Sequence, residues 1–172
     1  MTVAAIATGC GATDGGAEGS AGADPGPRPQ LPRAAAAAAS PLPEVTVWDV
    51  GNAEWTQFAD LRPGTTPLLL WFWAPHCPAC AAEAPDVVDF AAAHRGRIDV
   101  VGIGTQDDPQ MAREFVERHQ VPFTMLCDQG FDSWTPFGVR AQPAFVLLDA
   151  EGRSLGGWLG DLPEAEVVEL AA

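Results

Sequence analysis

The stretch WFWAPHCPAC, residues 71–80, decides the prediction of the fold. It closes a near-continuous apolar run, residues 66–73, which has the length of one strand and lies between Pro63 and Pro75. An apolar run without polar alternation is typical of a strand that is buried on both faces, as in the centre of a sheet. Two cysteines separated by two residues follow this strand directly, at the start of a segment with helical spacing.

The chain on either side of this stretch alternates between strand-like and helix-like patterns. Met111, Phe115 and Val116 are expected to form the buried stripe of the second helix, with Asp107 or Asp108 as its N-cap. Asp161 is expected to cap the last helix. The predicted strands are 45–48, 66–73, 98–103, 123–127, 144–148 and 153–159, and the predicted helices are 78–95, 108–119 and 161–170, with a short helix or turn at 132–137.

This order of elements predicts the architecture. Strands that alternate with helices form a parallel-rich sheet covered on both faces, and the last two strands add an antiparallel hairpin. The predicted fold class is therefore α/β, with a central sheet between two layers of helices in one domain.

Residues 1–43 differ from the rest in composition. Ala, Gly, Pro and Ser dominate there, and all 6 Trp and 8 Phe lie at or after residue 45. Such a segment buries too little apolar surface to offset its chain entropy, so we expect a signal remnant with a disordered linker, followed by a domain over residues 44–172. Within it, VAAIATGC resembles the end of a bacterial lipoprotein signal, which makes Cys10 a lipidation candidate. The alternative is that Cys10 is a free thiol in a disordered tail.

The charge of the chain excludes one class of partner. The formal net charge is -14, and every basic residue is an arginine. Such an acidic surface repels nucleic acid and anionic membranes, so we expect no nucleic-acid partner. No apolar run in the sequence reaches the roughly 18 residues that a membrane-spanning helix needs.

Three chemistries compete for Cys77 and Cys80. A structural zinc site needs four ligands that usually come as paired knuckles, and the other candidates are unpaired in sequence: Cys10, Cys127, His76, His94 and His119. A structural disulfide across two residues would remove little chain entropy. A redox pair fits better, because Cys77 begins a helix, where unpaired backbone N–H groups and the helix dipole favour a thiolate. Cys77 is then the nucleophile and Cys80 the resolving thiol.

The motif also resembles the thioredoxin superfamily. WFWAPHCPAC matches the strand-to-helix pattern FWAxxCxxC, and Gln142-Pro143 stands where the superfamily has a cis-proline against the redox cysteines. The resemblance is to the secreted TlpA/ResA/DsbE-like branch in particular, actinobacterial DsbE-like proteins included. Residues 100–126 look like the extra helix–strand unit of that branch. The resemblance covers residues 45–170 and implies a thioredoxin-like fold.

The same branch carries a CxxCxxExP motif, present here as Cys77, Cys80, Glu83 and Pro85. Thioredoxins usually place a buried acid in the strand, where this chain has Trp71. The resemblance therefore implies that Glu83 moves the proton of Cys80. The alternative is an ordinary solvated glutamate on the helix surface.

The resemblance also implies residues that bind substrate. Pro143 would be the cis-proline, and the backbone of Gln142 would pair with an extended peptide. Trp73 and Pro75 would shape the rim of an apolar groove, although a core position for Trp73 is equally consistent with the sequence. His76 would stabilise the Cys77 thiolate if protonated, or else is a solvent-facing loop residue.

The implied function is a secreted thiol–disulfide oxidoreductase that acts on cysteine-containing exported proteins. The balance favours an oxidant, and the alternative is an extracytoplasmic reductase of the cytochrome c maturation type. Either would exchange electrons with a membrane or extracytoplasmic partner, lie secreted or lipid-anchored outside the cell membrane, and use no cofactor besides the Cys77–Cys80 disulfide. A copper metallochaperone is the alternative from another class. A peroxiredoxin is disfavoured because Ala74 stands where it needs Thr or Ser. Cys127 is expected to be an inert, half-buried thiol.

Overall fold

The computed structural model describes residues 42–61, 64–105 and 108–172. Its strands are β1 (Thr46–Asp49), β2 (Glu54–Gln57), β3 (Leu68–Trp73), β4 (Asp99–Thr105), β5 (Met125–Asp128), β6 (Ala144–Leu148) and β7 (Ser154–Leu159). Its helices are α1 (Pro78–Ala93), α2 (Pro109–His119) and α3 (Glu164–Leu170), with short 3-10 turns at Phe58–Asp60 and Thr135–Phe137. The expected linker and Cys10 lie outside the described residues.

The seven strands form one mixed sheet in the order β2-β1-β5-β4-β3-β6-β7. Among the described strands, β3, β4 and β5 run parallel to one another, and the four other pairings are antiparallel. The α/β class and the mixed central sheet are confirmed, whereas the expectation of a parallel-rich sheet is wrong. The unit formed by α2 and β5 lies between β4 and β6 in the chain, where the extra helix–strand unit was expected.

The apolar run before the cysteines is buried on both faces, as predicted. Leu69, Trp71 and Trp73 belong to one core cluster, and the residues between them belong to the other. All three helices contribute to the first cluster. In the described part of the chain, the second cluster is covered instead by segments outside the helices, such as Leu42 and Trp134. Leu42 is 2% exposed, so the packed domain includes a residue before the expected boundary.

Several local predictions need correction. β2 was not expected, because the sequence EWTQ is short and polar. Asp161 does not cap α3, whose N-cap is Pro163 without a side-chain bond. Asp108 does cap α2 and accepts a hydrogen bond from the amide of Gln110. Met111 is 42% exposed, and Ala112 takes the expected buried position.

The two histidines at the C-terminal ends of α1 and α2, His94 and His119, are half-buried. The ring of His94 stacks on Phe90 at 4.4 Å, and the ring of His119 stacks on Phe115 at 4.5 Å. Both contacts follow from the i, i+4 spacing on a helix, which places these rings on one face.

A buried carboxylate organises the loop that follows β5. Asp128 is 1% exposed, and its two carboxylate oxygens accept hydrogen bonds from the amide of Gly130 and from the amide and hydroxyl of Ser133. The hydroxyl of Thr105, at the end of β4, donates to the carbonyl of Gly130. These bonds fix the loop at the C-terminal ends of the parallel strands. The cysteines follow β3 at this same end of the sheet.

Candidate active site

Cys77 is the N-cap of α1, and its sulfur takes the place of the usual capping oxygen. The amide of Cys80 donates to Cys77 Sγ at 3.1 Å, and Pro78 fills the first helical position. A donated N–H bond and the positive end of the helix dipole both stabilise negative charge on the sulfur. Cys77 is 7% exposed and lies at the surface end of α1. This arrangement suits a nucleophilic thiolate.

Cys80 lies one turn further along α1 and is fully buried. Burial, the side-chain hydrogen bond with Cys77 and the negative charge of an ionised Cys77 sulfur together raise the pKa of the Cys80 thiol well above its ordinary value. The two sulfurs therefore differ: one is placed to carry charge and the other is held protonated. This difference is the one expected between an attacking and a resolving thiol.

Glu83 is 7% exposed, so the interpretation as a solvated helix glutamate is wrong. Its carboxylate accepts a hydrogen bond of 2.6 Å from the amide of Leu162 in the loop between β7 and α3. Burial raises the pKa of the Glu83 carboxyl; the Leu162 bond lowers it, and the charges of Asp161 and Asp86 raise it further. The i, i+3 spacing puts Glu83 on the same side of the helix as Cys80.

The peptide bond between Gln142 and Pro143 is cis, as the resemblance implies. Pro143 immediately precedes β6, in which Ala144 pairs with Phe72 near the end of β3. Because β6 runs antiparallel to β3, its first residues lie at the edge where β3 leads into the cysteines. Pro143 is buried and Gln142 is half-buried. The topology therefore brings the Cys77–Cys80 motif and the cis-proline to the same end of the sheet.

The other predicted substrate-binding residues separate into surface and core. His76 is exposed and Pro75 is half-buried. Trp73 is 0% exposed, so it lies in the core and does not shape a groove rim. Its indole stacks on Phe115 at 4.6 Å, and Gly104 on β4 makes room for it: a Cβ there would lie 2.9 Å from Trp73 Cε2.

Two backbone partners of the site were not predicted from the sequence. The amide of Leu162 belongs to a loop 79 residues away from Glu83, so no local signal identifies it. The carbonyl of Ala74 accepts from the amide of Cys77 at 3.1 Å and fixes the turn into the helix. Cys127 on β5 is 1% exposed, more buried than expected, and belongs to the same core cluster as Cys77 and Cys80. Among the described residues, no three His, Cys, Asp or Glu side chains are grouped so that they could hold one metal ion.

Comparisons with known proteins agree with this geometry. Residues 38–153 match the AhpC/TSA family. The soluble secreted antigen MPT53 of Mycobacterium tuberculosis is 42% identical over 88 residues, which cover 51% of this chain and 50% of that protein. The thiol:disulfide interchange protein HelX of Rhodobacter capsulatus is 32% identical over 107 residues, covering 62% of this chain and 58% of HelX. The chain thus spans about half the length of MPT53 and somewhat more of HelX.

Solved structures show the same similarity over a longer stretch. MTB dsbF has a TM-score of 0.65 and 31% identity, with 77% of this chain and 95% of that chain covered. A secreted Mycobacterium tuberculosis disulfide oxidoreductase homologous to E. coli DsbE has a TM-score of 0.62 and 31% identity, with 74% and 94% covered. The chain therefore belongs to the AhpC/TSA family and, within the thioredoxin superfamily, to its DsbE-like members.

Proposed function

We propose that the chain catalyses thiol–disulfide exchange with cysteine-containing exported proteins, and that Cys77 and Cys80 are its redox pair. The observation that carries the proposal is the hydrogen bond of 3.1 Å from the Cys80 amide to Cys77 Sγ at the start of α1. This bond stabilises negative charge on the Cys77 sulfur, while burial favours the protonated form of Cys80. The names of the relatives, thiol:disulfide interchange protein and disulfide oxidoreductase, support the same activity.

In the oxidising direction, a substrate thiolate attacks Cys77 Sγ of the disulfide and Cys80 leaves as a thiolate that takes up a proton. A second substrate thiolate then attacks the substrate sulfur of the mixed disulfide and releases the Cys77 thiolate. The substrate loses two electrons and gains a disulfide, while the Cys77–Cys80 pair becomes a dithiol. A membrane or extracytoplasmic partner must then reoxidise the pair.

Glu83 has a specific role in this sequence of steps. The raised pKa of Cys80 makes its thiolate a poor leaving group unless a proton is supplied. Glu83 lies one helical turn away, and its raised pKa keeps more of the carboxyl protonated near neutral pH than an exposed glutamate would be. We assign it the proton transfer to and from Cys80.

Stabilisation of the Cys77 thiolate favours an oxidant, because it stabilises the reduced protein relative to the disulfide. The reductase of the cytochrome c maturation type is the alternative. Extracytoplasmic location is supported by relatives named as secreted. No helix in the described part of the chain is long and apolar enough to cross a membrane. Lipidation of Cys10 stays a prediction.

The test is whether the oxidised chain drives the oxidative folding of another protein. A reduced, unfolded protein with several disulfides is mixed with the oxidised chain, and the recovery of its activity is followed over time. We expect recovery to be faster in proportion to the amount of oxidised chain added, and Cys77→Ser should abolish this effect. Cys127→Ala, which replaces a buried cysteine outside the site, should preserve it. Equal recovery with Cys77→Ser would refute the proposal, and acceleration only of disulfide reduction would favour the reductase.

The metallochaperone alternative is tested on anaerobically reduced protein. Stoichiometric copper binding that is lost in Cys80→Ser would favour that alternative, and the exchange reaction proposed above predicts no such binding.

A further inference from the structure

An open groove of about 390 Å³ lies beside the cis-proline loop. It is bounded by the segment that leads to Pro143, by the first residues of β6 and by the last residues of β7. Its lining includes Phe137, Val139, Arg140, Ala144, Gly157 and Leu159. This volume lies at the lower end of the range of ligand pockets, roughly 300–1,000 Å³.

The groove is on the opposite face of the sheet from the redox cysteines. Leu159 pairs with Ala144 across the β6–β7 ladder, and directly paired residues point to the same face. Ala144 belongs to the second core cluster, whereas Cys77 and Cys80 belong to the first. The groove is therefore distinct from the cysteine site, although both reach the sheet edge that carries Pro143.

Leu159 is the most exposed large apolar side chain in the described part of the chain, at 71%. It lies at the end of β7, the edge strand of the sheet, whose outer backbone groups pair with no strand of the described residues. Gly157, two residues earlier, contributes no side chain on this face, which leaves the groove open next to Leu159. An exposed apolar side chain beside an open edge strand is a surface suited to an extended polypeptide.

The charge of the groove differs from that of the whole chain, whose formal net charge is -14. None of the described residues that line it is acidic, and Arg140 at its rim is exposed. No described carboxylate lies within ion-pair distance of the Arg140 guanidinium. An apolar surface with one unpaired cation is complementary to an apolar side chain next to a carboxylate.

We propose that this groove is an exosite for the substrate polypeptide, in which Leu159 contacts an apolar side chain and Arg140 pairs with an adjacent carboxylate. The proposal rests on the thiol–disulfide exchange proposed above. It adds a specificity determinant: substrates with an apolar–acidic pair at a fixed distance from the reacting cysteine exchange faster than substrates without it.

The test measures second-order rates of mixed-disulfide formation between the oxidised chain and synthetic peptides that carry one cysteine. A Leu-Asp pair is moved along the peptide in single-residue steps before and after the cysteine, since an extended chain advances about 3.3 Å per residue. Matched peptides carry Ser-Asp or Leu-Lys instead. Each rate is divided by the rate of the same protein with 2-mercaptoethanol, which is too small to reach the groove.

We expect Leu159→Ser and Arg140→Glu each to lower this ratio about five-fold for the best Leu-Asp peptide, the scale of one exposed apolar or charged contact. Arg140→Lys preserves most of the ratio, and Arg140→Glu raises it for the Leu-Lys peptide. The controls are Leu155→Ser, elsewhere on β7, and Arg97→Glu, at the opposite end of the sheet. Both should change the ratio less than two-fold.

Equal ratios for the groove variants and the controls would overturn the exosite, as would an effect of Leu159→Ser on the self-association of the chain alone. If no peptide forms a mixed disulfide with the chain, the proposed redox function fails. The exosite is then tested separately, by binding of a peptide without cysteine. A cysteine-free Leu-Asp peptide should then shift the NMR signals of Gly157 and Leu159, and unchanged signals would overturn it.

Discussion

Glu83 offers the sharpest test of how the site is built, because Glu83→Gln and Glu83→Ala remove different properties. Glutamine keeps an oxygen that accepts the Leu162 amide but cannot ionise. Alanine removes the acceptor, so the partly buried Leu162 amide loses its bond of 2.6 Å. An unsatisfied buried donor costs about 1–3 kcal/mol, so we expect Glu83→Ala to be less stable than Glu83→Gln by about that amount at every pH.

The effect of Glu83→Gln depends on pH, and its sign follows from the direction of the pKa shift. Burial raises the pKa of the folded-state carboxyl above its ordinary value of 4.5, so the ionised form is penalised only in the folded protein. Below pH 4.5 the carboxyl is mostly protonated in both the folded and the unfolded state, so its burial does not penalise the folded protein there. The protein loses stability as the pH rises through the folded-state pKa. The loss is about 1.4 kcal/mol for each pH unit that separates the folded-state pKa from the unfolded-state pKa. The glutamine variant escapes this loss.

The assay is urea unfolding of the reduced proteins between pH 4.5 and pH 8, the lower limit being the ordinary pKa of the group. The free energy of unfolding of Glu83→Gln minus that of the unsubstituted chain should grow with pH and then level off, while other titrating groups cancel in the difference. A difference that does not change with pH would show that the carboxyl is solvated. A glutamine variant as unstable as alanine would show that the charge itself holds the Leu162 amide.

Two further predictions concern packing and thiol reactivity. Gly104→Ala should lower the free energy of unfolding by about 1–3 kcal/mol in urea, because its Cβ would lie 2.9 Å from the buried Trp73 ring. Gly157→Ala is the matched control: its nearest contact is at 3.7 Å, and a loss as large as that of Gly104→Ala would contradict the packing argument. With limiting iodoacetamide, mass spectrometry should find Cys77 alkylated at least about ten-fold faster than Cys80, which is buried and held protonated. Equal rates would refute the assigned roles.

Much of the fold could be predicted because strong local patterns coincide with buried elements. β3 is apolar at every position because both of its faces are covered, and the cysteines follow where it leads into a helix. β2 was missed because it is a short edge strand with no buried residue, and in the described part of the chain it pairs with β1 alone. The layer over the second face was mispredicted for a related reason. It is built from short 3-10 turns and isolated aromatic residues that have no helical period.

The site shows the same division between local and distant causes. Cys77, Cys80 and the cis bond before Pro143 follow from motifs, whereas the partner of Glu83 depends on how the loop after β7 folds back onto α1. Trp73 could not be assigned from sequence, because an aromatic residue beside a motif suits a rim or a core. The small residue that decides the matter, Gly104, lies on the neighbouring strand.

The reduction potential of the Cys77–Cys80 couple decides whether the pair donates disulfides. The chain with the background substitution Cys127→Ala is equilibrated with glutathione redox buffers, and the dithiol and disulfide forms are quantified by mass spectrometry. We expect a two-electron couple at about -120 to -180 mV, the range of disulfide donors. A value near or below about -270 mV would contradict the oxidant direction and indicate a reductant. A pair that forms no disulfide across the whole buffer series would contradict the redox function itself.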